Sequence, residues 1–258
     1  MAGAPSGPSV VRRPVTSRTG RCAVLYPAVA EAARRAGATA VGLIDVECSA
    51  GPGLLLDRVG LVYDNGQVLG DGSSPVQLSA SVVGRRPLPD RSVPPVTARI
   101  GIDRSLADAP EAARSLRTTL GTGDPDGTAD RGAASVLTAS GHLQLLPGEV
   151  LDRLPEAVER VPADALPVVT TAWALARLSP AGRLRFLQRL GDAATGRPVA
   201  WVSAEGVGVA PAVPTLGDRR ASGHSILGVA VLDASSVTAA AVGRCWSRGR
   251  MLAWLAGG

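Results

Sequence analysis

Acidic residues at the ends of apolar runs, and one turn of small residues, are where this chain could do chemistry. The apolar run from Val41 ends at Asp45, and Glu47, Cys48, Ser49, Ala50, Gly51, Pro52 and Gly53 follow before Leu54-Leu55-Leu56. A strand, an acidic end, a tight turn and a helix start are how a parallel nucleotide-type sheet opens, with the ligand held over the turn. Backbone amides approach a ligand closely only where side chains are small. Ser49, Ala50, Gly51 and Gly53 therefore suit a ligand loop, whereas Glu47 adds bulk and charge. The alternative is that Glu47 points into solvent or pairs with an arginine while the turn is structural. Asp103 ends a second apolar run; its carboxylate either accepts hydrogen bonds from a ligand or caps the next turn. Glu149, after Gly148, either faces a ligand or begins a helix whose dipole suits its charge. Glu205, at the end of Trp201-Val202-Ser203-Ala204, reads as a general base, a substrate hook or a solvated strand-end carboxylate.

Other chemistries are poorly supported. His142 and His224 lie in no metal-ligand spacing. Ser49 does not sit on a Gly-x-Ser-x-Gly elbow, so a hydrolase triad has no nucleophile. Cys22, Cys48 and Cys245 are odd in number and far apart, which suits free thiols.

Those residues need a sheet to hold them. With 258 residues, 45% hydrophobic and 19% charged, the chain can build a sizeable core. The 27 basic residues are all arginine and are scattered, without the clustering a nucleic-acid face requires. No apolar run is long enough to span a bilayer, and the N-terminus lacks a signal-peptide core, which gives the expectation of a cytoplasmic protein. Residues 1–19 read as a flexible leader and 20–258 as one α/β domain. Arg21 to Ala36 is helix-prone, with Pro27 inside it. Residues 40–46 read as a buried strand and 53–59 as the start of a helix. Residues 60–98, with short apolar pieces among Asp-Asn-Gly and Gly-Asp-Gly turns, read as a β-rich insertion. Strands follow at 96–102, 142–146, 166–171 and 198–203. Helices are expected at 111–120, 150–160 and from Ser179-Pro180 to a stop at Gly191. An antiparallel pair at 226–232 and 237–242 and a short last strand at 251–255 complete the pattern.

Several segments carry a resemblance. They are Gly20-Arg21-Cys22-Ala23, Ser49-Ala50-Gly51 with Leu54-Leu55-Leu56-Asp57-Arg58, and Gly70-Asp71-Gly72-Ser73-Ser74-Pro75-Val76. Arg99-Ile100-Gly101-Ile102-Asp103 and Arg197-Pro198-Val199-Ala200-Trp201-Val202-Ser203-Ala204-Glu205-Gly206 complete them. In order and spacing they resemble the bacterial family known as domain of unknown function 2332, with a Rossmann-like fold of the class I methyltransferase type. The spacing Asp45-x-Glu47-x-Ser49-x-Gly51 is similar to the acidic-x-Gly-x-Gly-x-Gly loop of S-adenosylmethionine methyltransferases, with two glycines replaced. The resemblance implies a mostly parallel sheet with a C-terminal antiparallel hairpin and a cofactor site for S-adenosylmethionine. That site would comprise Asp45, Glu47, Ser49, Ala50, Gly51, Gly53, Asp103 (to the ribose hydroxyls) and Glu149 (to the adenine).

The chain departs from the family at Val15-Thr16-Ser17-Arg18, at Glu47, at Pro52-Gly53 and at Trp246-Ser247-Arg248-Gly249. Two functions follow as expectations. One is methyl transfer to an unknown small-molecule or protein acceptor, with Glu205 as base. The other is a degenerate, non-catalytic binding or scaffold domain. Cofactor binding is expected to be weak because of Glu47. Family members carry helices ahead of the first one here. Its face near Val24 and Ala28 is therefore expected to be uncovered and closed by a homodimer or another partner.

Overall fold

The first helix already shows how the chain is stitched together. The computed structural model describes residues 12–14, 19–47, 51–104, 114, 135–136 and 143–257. Helix α1 (Gly20–Arg35) is buried almost throughout and runs unbroken across Pro27. Proline has no amide hydrogen, so the carbonyl four residues back, that of Ala23, loses its helical donor. The Tyr63 hydroxyl, from the region read as an insertion, donates to it instead at 2.7 Å.

All twelve described strands join one sheet, in the order β4-β3-β5-β12-β11-β10-β9-β8-β2-β6-β7 with β1 also on β5. They are β1 (Arg12–Pro14), β2 (Val41–Val46), β3 (Gly60–Tyr63), β4 (Val68–Gly70), β5 (Gln77–Val82) and β6 (Val96–Asp103), then β7 (Gln144–Pro147), β8 (Leu166–Ala172), β9 (Val199–Gly206), β10 (Ser225–Leu232), β11 (Val237–Trp246) and β12 (Met251–Trp254). Strands β7, β6, β2, β8 and β9 are parallel, and β10 returns antiparallel to β9 and β11. The fold is α/β and Rossmann-like, and the C-terminal hairpin forms as its sequence pattern predicts.

Two cores line the two faces. Alternate residues of each strand face opposite ways: Leu43, Val168 and Val202 join α1, while Ile44, Val169 and Trp201 join α2 (Val150–Glu159) and α3 (Pro180–Ala193). The chain between β2 and β6 passes over the α1 face. The connections moving the opposite way, from β7 to β8 and from β8 to β9, use α2 and α3 on the other face. Right-handed crossovers require that division. Ser179 opens α3 as an N-cap, its Oγ accepting from the Gly182 amide at 3.1 Å.

Three expectations need correction. The segment after the small-residue turn is no helix: Pro52–Leu55 is a single 3₁₀ turn. Leu54, Leu55 and Leu56 are all fully buried, which leaves no polar face for a surface helix, and the chain enters β3 within a few residues. Helix α3 does not stop at Gly191 but runs on to Ala193. The α1 face at Val24 and Ala28 is not uncovered; both are fully buried, and α1 packs on β8, β9, β10, β4 and β5. The surface that suggested a homodimer is therefore internal. The helix expected at 111–120 and His142 lie outside the described residues, apart from Arg114. No helix among the described residues is long and apolar enough to cross a membrane.

Candidate functional site at the carboxyl edge of the sheet

From β2 the chain builds outward through β6 to β7, then returns past β2 to build β8 and β9 on the other side. The crevice between β2 and β8 is thus a topological switch point, where open α/β sheets bind ligands at the carboxyl ends of their strands. Because β2, β6, β7, β8 and β9 are parallel, Asp45, Glu47, Gly51, Asp103, Glu149 and Glu205 all reach that one edge. Ser49 and Ala50 lie outside the described residues.

Asp45 is fully buried on the α1 face of β2. Its Oδ1 accepts from Thr170 Oγ1 of β8 at 2.8 Å. Its Oδ2 has no hydrogen-bond donor among the described residues and lies 3.8 Å from Arg21 Nη1. Burial raises its pKa, opposed by the Arg21 charge and the Thr170 hydrogen bond; Asp103 adds a smaller upward push. Gly53 is required by this carboxylate, since a Cβ there would sit 2.8 Å from Asp45 Oδ2.

Glu47 takes the left-handed backbone that glycine would take, at φ 52°. Strand β6 and helix α1 hold it there. Its amide donates to the Ile102 carbonyl at 2.8 Å, and its carbonyl accepts from Arg21 Nη1 at 3.0 Å. Its carboxylate meets Arg177 Nη1 at 2.9 Å and Arg104 Nε at 3.4 Å. The geometry thus pairs this carboxylate with two arginines. The notch for the backbone is kept and the added charge is neutralised.

Asp103, buried at the end of β6, sits beside Asp45 and Glu47, as the register Val46↔Ile102 dictates. Its backbone carbonyl accepts from the Gly148 amide. Glu149 is the N-cap of α2, half exposed, and its carboxylate meets Arg104 Nη1 at 3.2 Å. Glu205 is buried on the α3 face, with Oε1 accepting from the Ala174 and Leu175 amides at 2.9 and 3.0 Å. Oε2 has no partner among the described residues. Burial pushes its pKa up to about 7 against the pull of those two amides.

Several participants escaped sequence reasoning. Thr170 and Thr171, two hydroxyls in an otherwise apolar run, were the available signal for β8. Arg21 stood in a quoted motif without a role. Arg177 pairs with Glu47 across 130 residues of sequence, a choice no local pattern reveals. Trp173 follows β8 with φ 57°, its Nε1 donates to Ser225 Oγ at 2.9 Å, and Arg248 stands over its ring at 5.6 Å. Two quoted motifs also meet: Arg99 of β6 grips Asp57 with both nitrogens, at 2.6 and 2.7 Å. That pair fixes the segment leaving the 3₁₀ turn.

A nucleoside cofactor such as S-adenosylmethionine asks for a strand-end carboxylate acceptor and a turn its backbone can approach. Asp103, a buried strand-end carboxylate, and the left-handed turn at Glu47 fit both requirements. Fold and edge together define a Rossmann-like α/β protein with an acid-lined switch point. The chain belongs to the family described as an uncharacterised protein conserved in bacteria, DUF2332, whose model matches residues 7–254. No curated protein matches it.

Proposed function

We propose that the protein is methyltransferase-like and takes S-adenosylmethionine weakly in the crevice above β2, β6 and β8. Asp103 would accept from the ribose hydroxyls, and a small-molecule or protein acceptor would lie toward β8 and β9. The observation that carries this reading is Glu47, a non-glycine residue held left-handed where the family-type loop has glycine. Such backbone costs on the order of 1–2 kcal/mol. It persists where the surroundings require that geometry. When bound, the cofactor would supply an electrophilic methyl group. Glu205 suits the role of base poorly, because one oxygen is held by two amides and the residue is 1% exposed.

That same feature favours a second reading, a binding domain without catalysis. Calorimetry with S-adenosylmethionine and with S-adenosylhomocysteine tests the proposal. Both should bind in the roughly 0.1–1 mM range, and Asp103→Asn should weaken them about tenfold or more, the loss of one charged hydrogen bond. No heat at millimolar ligand would overturn the cofactor assignment. Binding with no methylation of any acceptor in a cell extract would select the second reading.

A further inference from the structure

Residues 201, 203 and 205 of β9 point to the α3 face, alternating with Ala200, Val202 and Ala204 on the other. Trp201 is satisfied, its Nε1 donating to Thr171 Oγ1 at 3.0 Å. Ser203 Oγ and Glu205 Oε2 are not: both are buried and without a hydrogen-bond partner among the described residues. Buried polar groups are normally paired, so two orphans on one strand face call for an explanation.

The register places Gly228 of β10 opposite Ser203. A Cβ on Gly228 would meet Ser203 Oγ and both Val213 methyls at 2.7 Å. Val213 therefore fills the notch left by Gly228 and lies over the polar strip. It belongs to residues 207–224, a mostly exposed segment in which Val207 and Val213 are the buried apolar residues. Its backbone hydrogen bonds are local ones, Val209 to Gly206, Asp218 to Thr215 and Ser222 to Arg219. Gly208 and Gly223 bracket it at φ 73° and 69°. Besides the apolar packing of Val207, Val209, Ala210 and Val213, what ties it down is Asp218, whose carboxylate accepts from Arg244 Nε and Nη2 of β11 at 2.6 and 3.0 Å and, within the segment, meets His224 Nε2 at 2.9 Å. Few buried contacts and one polar latch describe a segment of low local stability.

We propose that residues 207–224 form a lid, latched by Asp218 on Arg244 of β11, over a site in which Ser203 Oγ and Glu205 Oε2 bind a primary ammonium group. Two acceptors, one of them a carboxylate, suit a cationic donor, and Val213 leaving the Gly228 notch opens the path to them. The site does not depend on the nucleoside crevice, and its test needs no cofactor.

The probe is n-butylammonium chloride, with sodium butyrate as the control, followed by the amide NMR signals of Val213 and Gly228. Removing a bidentate, part-exposed pair frees the lid by about fivefold. Arg244→Gln should accordingly bind butylammonium about fivefold more tightly than the native chain. Trypsin should cut its Arg219-Arg220 site faster by a similar factor. Asp218→Asn should reproduce both effects if Arg244→Gln folds poorly. Glu205→Gln in the unlatched background should abolish the shifts while leaving the rate of cleavage unchanged. Absence of shifts in both unlatched variants, binding unchanged by Glu205→Gln, or equal shifts with butyrate would overturn the proposal.

Discussion

Changing Tyr63 to Phe removes one oxygen and tests how α1 tolerates a proline in its middle. The Tyr63 hydroxyl is buried and donates to the Ala23 carbonyl at 2.7 Å. That carbonyl lost its helical partner to Pro27. In Tyr63→Phe it is left buried without a donor, which costs about 1–3 kcal/mol. For a domain of this size that lowers the melting temperature by roughly 2–4 °C per kcal/mol. The distinguishing measurement is a double-mutant cycle by urea unfolding. In Pro27→Ala the new amide can reclaim the Ala23 carbonyl, so Tyr63→Phe should then cost about 1 kcal/mol less than in the native background. Equal costs in both backgrounds, within about 0.3 kcal/mol, would refute the account. So would a native-background cost below about 0.5 kcal/mol.

Two carboxylates should give opposite pH slopes. Glu31 is gripped by Arg34 and Arg35, whose hydrogen bonds lower its pKa from 4.5 to about 2 against the cost of burial. Its stabilisation is full above pH 4.5 and is lost as pH falls toward 2; Glu31→Gln should remove that acid-side slope in unfolding titrations. Glu205 is raised from 4.5 to about 7, so the folded state holds its proton more tightly. Stability should decline as pH rises from 4.5 through 7, and Glu205→Gln should flatten that decline; an unchanged slope would count against its burial as the cause. Gly53→Ala forces a methyl to within 2.8 Å of Asp45 Oδ2 and should destabilise by about 1–3 kcal/mol, read as a shifted unfolding midpoint. Glu47→Gly keeps the turn and removes its carboxylate, leaving Arg104 on Glu149 and releasing Arg177, so calorimetry should show tighter S-adenosylmethionine binding; unchanged affinity would remove Glu47 as the cause of weak binding.

How much of this could be read in the sequence depended on range. The strands from 166 to 242 stand out because each is an apolar run closed by turn residues, and a buried parallel strand needs little else. The 3₁₀ turn at Pro52–Leu55 reads as a helix start because an apolar triplet fits a helix start and a buried corner equally well; only the burial of Leu54, Leu55 and Leu56 on one side of the sheet decides. The acids of the site were legible as strand ends. Their partners were not: Arg177 reaches Glu47, Arg99 reaches Asp57 and Arg91 reaches Glu31 across long stretches of chain. With 27 arginines available, local sequence cannot select among them.

Backbone strain points to the same region as the side-chain chemistry. Six non-glycine residues are left-handed among those described: Glu47, Trp173, Ala212, Leu216, Ser247 and Arg248. Glu47 and Trp173 follow the two strands that flank the switch point. Ser247 and Arg248 follow β11, whose end reaches the same edge because Cys245 pairs with Ser225 and Ser225 with Gly206. Ala212 and Leu216 belong to the segment over β9 and β10. The turn at 247–249 also fits α1 with no room to spare, since a Cβ on Gly249 would meet the Gly20 carbonyl oxygen at 2.2 Å. Each such residue costs on the order of 1 kcal/mol, and strain of that kind survives where packing over-determines it. A fold optimised only for stability would place glycine at these turns, as it does at Gly37 and Gly66. Among the described residues the strain is thus confined to the carboxyl edge and its cover, the pattern expected of an edge shaped for binding whichever ligand occupies it.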